Sequence, residues 1–337
     1  MAEKKKINWL LILQGWAMLW VVIGHSFMGK AGQGPVWENA LFHFAYSFHM
    51  PLFMLVSGWL FFFTRLKTDE LLGVNGGGYW SYYQIVKDKA LRLLLPGLVF
   101  SLIAFAMKIA FPEEMARQTD FSFREIANAF LYPNDNPFRE MWFIATLFIL
   151  FLLTPLWRWT LSNKWLMWTT VIVLIVLHFF HPVIELFCIG RVCIYAIWFY
   201  IGLILSKEGY VEKVFAKKPW LTLLAGIVIY GIGLYINRFI TTMGGIVLSI
   251  AMALILDKNL PRILFSFRDY TYQIFLIGIF AQMFVKILFR SVTMPYIVAY
   301  LLCVTMGLYV PVLVSKLLEL INCKPLLLCV GLKPKKQ

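Results

Sequence analysis

The sequence predicts an all-α polytopic membrane protein with about ten transmembrane helices and both termini in the cytoplasm. Three observations predict it. Hydrophobic residues make up 61% of the 337 and charged residues 14%, against about 45–50% and about 25% in an average soluble domain. Apolar runs of roughly 20 residues, the length a helix needs to cross about 30 Å of hydrocarbon, recur along the whole chain. Lysine and arginine are shared unequally between the segments that join those runs. The alternating segments of about ten residues that would mark a β-barrel are not seen. Lipid offers no partner to an unpaired backbone donor, so the runs are read as helices.

The expected spans are 8–28, 41–63, 92–111, 141–160, 165–181, 189–206, 220–237, 241–256, 269–289 and 295–320. Those at 189–206, 220–237 and 241–256 are short or interrupted by glycine, which leaves nine or eleven spans open. With the N-terminus inside, the cytoplasmic segments hold 22 of the 31 basic residues and the outer loops 7. Lys108 and Lys286 fall within spans, near their ends, and read as interfacial anchors. This excess of positive charge on the inside is the usual orientation signal. It also accounts for the net charge of +14 without a nucleic acid, because the basic residues are scattered over six cytoplasmic segments and form no stripe.

The first run follows Lys4, Lys5 and Lys6 but is too long for a signal peptide and lacks a small-residue cleavage site, so it reads as an uncleaved span. The segment 64–91 reads as a cytoplasmic loop, with Gly76, Gly77 and Gly78 as a flexible run. Residues 112–140 form an outer loop with Pro112, Pro133 and Pro137 and six acidic residues, among them Glu113, Glu114 and Asp120. The five cysteines have no metal-ligand spacing and read as apolar filler. The chain shows neither a repeat nor a second domain, so residues 1–337 are expected to form one membrane-embedded domain. Function must then sit between the helices or at their ends.

Ionisable residues inside spans are costly and are functional candidates by default. His25 lies near the outer end of the first span, and His49 about a third of the way into the second. The first span runs outward and the second inward, so both imidazoles fall in the outer half and can approach each other. Each needs a donor and an acceptor partner when buried. Gln14 and His25 are 11 residues apart, about three turns and about 16 Å, so they share one face of the first span. Gly15 and Gly24 beside them permit close helix approach. Lys89 and Arg92 sit at the inner start of the third span, where snorkelling to the interface is the plain alternative. His178 and His181 are spaced as a metal pair could be, with Glu185 nearby, but they also sit where a helix meets the headgroups. Trp142 lies at the outer end of the fourth span, where an aromatic ring suits either the interface or a sugar.

The stretch from Gln14 to Ser26 (QGWAMLWVVIGHS) resembles the first span of the membrane acyltransferase-3 family, and Tyr46 to Leu60 (YSFHMPLFMLVSGWL) resembles its second. The Phe-His-Met-Pro-Leu-Phe form is similar to that of the branch that resembles fucose 4-O-acetylases. Lys87, Lys89, Arg92 and the run to Pro96 resemble the family's basic entry into span three, and Met141-Trp142-Phe143-Ile144 its fourth span. Tyr270 to Leu276 gives a weaker match. The resemblance implies transfer of an acyl group, usually acetyl from acetyl-CoA, to a hydroxyl of a sugar or other envelope component, in a bacterial cytoplasmic membrane. Acetyl-CoA is then a co-substrate, and no permanently bound cofactor is expected.

His25 is the expected base or nucleophile and His49 its helper. Lys89, Arg92 and Gln14 are expected to meet the acyl donor and Trp142 the acceptor. The sequence departs from the family at three points: Gln14 stands where members carry arginine, Leu11 where they carry aspartate, and Gly278 where many carry histidine. Two other readings follow from the residues. A transporter or flippase of an envelope precursor fits the polar stripe and the glycine-broken spans around Gly231–Gly233 and Gly244–Gly245. An inactive scaffold fits the missing arginine.

Overall fold

A computed structural model describes residues 8–28, 34–66, 78–110, 122–257, 264 and 266–333. The basic clusters at Lys4–Lys6 and Lys335–Lys336, Lys30, Lys67, Gly76–Gly77, the loop residues from Pro112 to Asp120, Lys258 and Arg262 lie outside the described residues.

The helices are α1 (Asn8–His25), α2 (Val36–Phe61), α3 (Gly78–Lys89), α4 (Leu95–Ala110), α5 (Phe123–Leu131), α6 (Met141–Leu152), α7 (Thr154–Leu161) and α8 (Lys164–Phe179). They continue with α9 (Ile189–Glu208), α10 (Tyr210–Lys213), α11 (Pro219–Ile236), α12 (Arg238–Leu256), α13 (Thr271–Ser291), α14 (Tyr296–Ile321) and α15 (Lys324–Cys329). No strand occurs among the described residues. Among the described residues, eight helical runs are long and apolar enough to cross a membrane, or nine with the bent pair α6–α7 taken as one span. The fifth expected span, 165–181, coincides with α8, which has 16 residues. At about 1.5 Å per residue it is shorter than the roughly 30 Å of hydrocarbon. The third span starts earlier than expected. An apolar helical run extends from Tyr82 to Ile109, so Lys89 and Arg92 lie inside it rather than at its start, and the end of the expected loop 64–91 is helical.

The chain divides into two compact units, Met1–Val56 with Glu208–Ser315, and Ser57–Lys207 with Lys316–Gln337. In the first, α1 packs against α12 and α13, and α11 pairs closely with α12. Glycine makes that pair possible. A Cβ on Gly233 would lie 2.3 Å from the Thr241 nitrogen, one on Gly244 2.3 Å from the Tyr230 nitrogen, and one on Gly226 2.6 Å from the Leu248 nitrogen. These backbones touch because no side chain stands between them. Of the glycines that suggested a transporter's unwound spans, Gly233 and Gly244 are thus engaged in packing two intact helices. Asn237 closes the tight turn between the two, its side chain accepting from the Ile240 N–H at 3.0 Å as the N-cap of α12.

Pro51 lies inside α2. It has no N–H, so the Ser47 carbonyl one turn earlier loses its helical donor. In a membrane that group must be satisfied by protein. Thr242 on α12 does so, its hydroxyl 2.6 Å from the Ser47 oxygen, and Arg238 donates to the neighbouring Tyr46 carbonyl at 2.9 Å. Replacing Thr242 by valine should therefore cost about 1–3 kcal/mol, the penalty of a buried carbonyl left without a donor. Thr305→Val is the control, because among the described residues the Thr305 hydroxyl bonds only within its own exposed turn. Thermal unfolding of the detergent-solubilised variants would compare the two, and equal melting temperatures would refute the assigned role of Thr242.

The second unit handles a similar break. The chain bends by 53° between α6 and α7, with Pro155 in the first turn of α7. The freed carbonyls find side chains: Trp157 Nε1 donates to Leu150 at 2.7 Å, Thr154 Oγ1 to Phe151, and the Tyr82 hydroxyl to Leu152 at 2.8 Å. Part of the expected outer loop forms α5, whose N-cap Ser122 accepts from the Glu125 N–H at 3.1 Å. That Ser-x-x-Glu spacing is legible in the sequence as a helix start. Gly58 is a close-packing position in the same unit: a Cβ on it would lie 2.0 Å from the Phe199 carbonyl oxygen.

Candidate active site

α1 ends at His25, and α2 returns beside it. Gly24 lets the two helices meet. A Cβ there would lie 3.1 Å from the Tyr46 ring and 3.2 Å from the Ala45 Cβ, so the phenol ring packs on nearly bare backbone. This brings three rings together. His25 is 6.5 Å from His49 between ring centroids, at 82°, and Tyr46 lies 5.7 Å from the first and 4.9 Å from the second.

His49 is buried, with 2% of its surface exposed, and His25 is half-buried. The Nδ1 of His49 is 2.6 Å from the Ala45 carbonyl. A carbonyl can only accept, so Nδ1 carries the proton and Nε2 is left as the basic nitrogen. The arrangement offers an oriented imidazole beside a second, more accessible one, which is what proton transfer to and from a reacting hydroxyl requires.

Gln14 lies at the other end of α1, half-buried. The segment carrying Leu264, Phe267 and Arg268 covers that end: the Cβ of Arg268 comes within 3.4 Å of where a Cβ on Gly15 would lie. Gln14, His25 and His49 all belong to the first unit, and Lys89, Arg92 and Trp142 to the second.

Within the second unit, the ammonium of Lys89 sits 3.7 Å from the centroid of Phe151 and 5.4 Å from that of Phe61. Such contacts orient a cation without neutralising it. Arg92 is exposed on a π-helical turn, Ala90–Leu94, that joins α3 to α4. A second π-helical turn, Phe62–Leu66, follows α2, and its Arg65 pairs with Asp88 at 2.7 Å. Such turns are rare and recur at functional sites. Trp142 stands nine residues before Phe151 on α6, about 14 Å along the axis, so it is remote from Lys89. Its ring stacks on Tyr195 at 5.4 Å and carries the Arg191 guanidinium at 4.4 Å, and Arg191 Nε donates to Asn134 at 3.1 Å.

Other expectations fare differently. His178 and His181 each place Nδ1 on a carbonyl, of Ile194 at 2.7 Å and of His178 at 3.0 Å. All five cysteines are free. Gly278 has a packing reason, since a Cβ there would lie 2.8 Å from the Gly307 carbonyl oxygen. Lys286, expected as an interfacial anchor, instead points inward and donates to the His25 carbonyl at 2.8 Å. Gln282, one turn earlier, is buried and donates to the Val22 carbonyl and to the Ser26 hydroxyl, both at 2.8 Å. Sequence reading missed both roles, although a polar pair spaced i, i+4 in an apolar run was the available signal.

Fold and site together define a multi-pass helical membrane protein with an imidazole pair where its first two helices meet. Residues 7–316 match the family described as an acyltransferase domain. That is most of the chain, and the protein belongs to this acyltransferase-3 family. Over 192 residues it is 28% identical to nodulation protein NolL of Sinorhizobium fredii, covering 53% of this chain and 46% of that protein. Over 135 residues it is 29% identical to nodulation protein NolL of Mesorhizobium japonicum, covering 40% of this chain and 31% of the other. The alignments thus span less than half the length of each relative. No solved structure matches the chain.

Proposed function

We propose that the protein transfers an acetyl group from acetyl-CoA to a hydroxyl of a sugar or cell-envelope glycan, in a bacterial cytoplasmic membrane. The observation that carries this reading is the facing pair His25 and His49, 6.5 Å apart, in a chain of this family. In the proposed reaction His25 removes the proton from the acceptor hydroxyl as that oxygen attacks the thioester carbonyl carbon. The carbon–sulfur bond then breaks, and the CoA thiolate takes the proton back from the imidazolium. His49, its tautomer set by Ala45, orients His25 or the acceptor. A covalent acyl-imidazole on His25 is the variant route.

The donor is anionic, and we assign its phosphates to Arg92 and Lys89. Arginine presents a planar fork to phosphate oxygens, and the exposed Arg92 is the more available of the two. Gln14, without a charge, would contribute a neutral hydrogen bond. For the acceptor we assign Trp142 together with Arg191, a ring and a guanidinium that between them offer a sugar an apolar face and hydrogen-bond donors.

Binding of acetyl-CoA to the purified, solubilised protein tests the assignment. Arg92→Ala should weaken saturable binding by about 10- to 100-fold, the value of one or two hydrogen bonds to a charged group. His25→Ala should leave it within about twofold, because the proposed base acts on the acceptor. If the wild-type protein fails to bind acetyl-CoA, the donor assignment is lost and the inactive reading suggested by Gln14 takes its place.

A further inference from the structure

We infer that Lys286, with Gln282 and Tyr300, forms a positioning device for His25, so that the last two long helices of the first unit take part in the reaction without touching the acyl group. This rests on the assignment of the proton transfer to His25.

The last four carbonyls of a helix have no helical donor. At the end of α1 these are the carbonyls of residues 22 to 25, the turn that bears His25 itself. Three of them are held by side chains from two other helices, and Ile23 also accepts from the Ser26 N–H at 3.1 Å. Gln282 on α13 donates to Val22 at 2.8 Å, Tyr300 on α14 to Ile23 at 3.3 Å, and Lys286 on α13 to His25 at 2.8 Å. Ser26 joins the same cluster, donating to Val22 at 2.7 Å and accepting from Gln282.

Just beyond, the buried Glu38 accepts from the Met28 N–H at 3.2 Å and from the Tyr296 hydroxyl at 2.7 Å. Gln282 and Lys286 are one turn apart on one helix face, and Tyr296 and Tyr300 are one turn apart on another. Gly307 makes room, since a Cβ there would lie 2.9 Å from the Gln282 Cγ.

A helix end can be satisfied more cheaply than this. A serine, an asparagine or interfacial water would serve one carbonyl, whereas an ammonium within an apolar span is costly to insert. The ammonium here is further fixed by the Phe27 ring, 4.3 Å from its centroid. All three donors fall on one turn and fix the backbone from which the His25 side chain springs. Fixing it matters because a misplacement of about 1 Å at a reacting group can cost on the order of 100-fold in rate.

The test uses the full-length protein in detergent, with thiol release from acetyl-CoA followed in the presence of a sugar panel that includes L-fucose. Lys286→Met should lower kcat on the order of 10- to 100-fold, with KM for acetyl-CoA within about twofold. Lys286→Arg should restore most of the rate, since a guanidinium can still reach the carbonyl. Tyr300→Phe, which removes one hydroxyl, should lower kcat by a few-fold and serves if Lys286→Met fails to fold. Wild-type kcat in Lys286→Met or Tyr300→Phe, with His25→Ala inactive, would overturn the inference and leave the proposed function standing. A loss of rate that tracks a fall in melting temperature and is not restored by arginine would also overturn it, as a purely structural effect. Full activity in His25→Ala, or no turnover in the wild type, would instead remove the proposed function and this inference with it.

Discussion

His25→Ala is expected to lower acetyl transfer by about 10²- to 10⁴-fold while the protein remains folded and still binds acetyl-CoA. That range is what a positioned general base contributes. Folding should survive because His25 closes α1 at its half-buried tip. The three donors on this turn bond to backbone carbonyls, which alanine keeps. His49→Ala should cost less, roughly 10- to 100-fold, since a helper acts through geometry rather than through the transferred proton. The two effects should be far from additive, because a base and the group that orients it act as a unit. Single-turnover transfer from labelled acetyl-CoA measures both. If both single variants and the double variant transfer at the wild-type rate, the imidazole pair has no part in the chemistry.

Gly244→Ala is expected to destabilise the protein by about 1–3 kcal/mol or more, the range for overpacking, and at the upper end here because the obstacle is backbone. The added methyl group would meet the Tyr230 nitrogen at 2.3 Å and its Cα at 2.5 Å. Neither can turn aside as the tip of a long side chain would. Gly231→Ala, in the same helix as Tyr230, is the counterpart: nothing lies within 4 Å of its Cβ position. That substitution should be neutral or stabilising by up to about 1 kcal/mol, through the lower entropy of the unfolded chain and the better helix propensity of alanine. Thermal unfolding followed by tryptophan fluorescence should separate the two variants by several degrees. Equal melting temperatures would show that α11 and α12 do not approach as closely as described.

The imidazole pair was legible early because its logic is local. Two spans running in opposite directions place His25 and His49 at similar depth, and a face period of about 100° per residue does the rest. Lys286 and Gln282 were not legible as partners of His25. They lie more than 250 positions away in the chain, and a lysine near a span end reads equally well as an anchor. Their direction depends on which helix stands opposite, and that is a tertiary fact. The glycine pattern was ambiguous for the same reason. Gly233 and Gly244 in a hydrophobic run are compatible with unwinding or with close packing, and only the partner backbone at 2.3 Å decides between them. The expected extent of the third span failed differently: the polar residues of α3 hid a helix that continues through Lys89 into the membrane segment.

The amino-acid sequence alone determined that this chain is helical and crosses a membrane many times, because 61% apolar residues in runs of span length leave the backbone no other way to satisfy its hydrogen bonds in lipid. Through matched stretches in its first half it also pointed to the acyltransferase family, to which the match over residues 7–316 assigns the chain. The tertiary structure alone decided which carbonyls freed by Pro51, by the α6–α7 bend and by the end of α1 are met by which side chains. The physical reason is that a hydrogen-bond donor is specified by position in space, within about 3 Å, and residues far apart along the chain supply it.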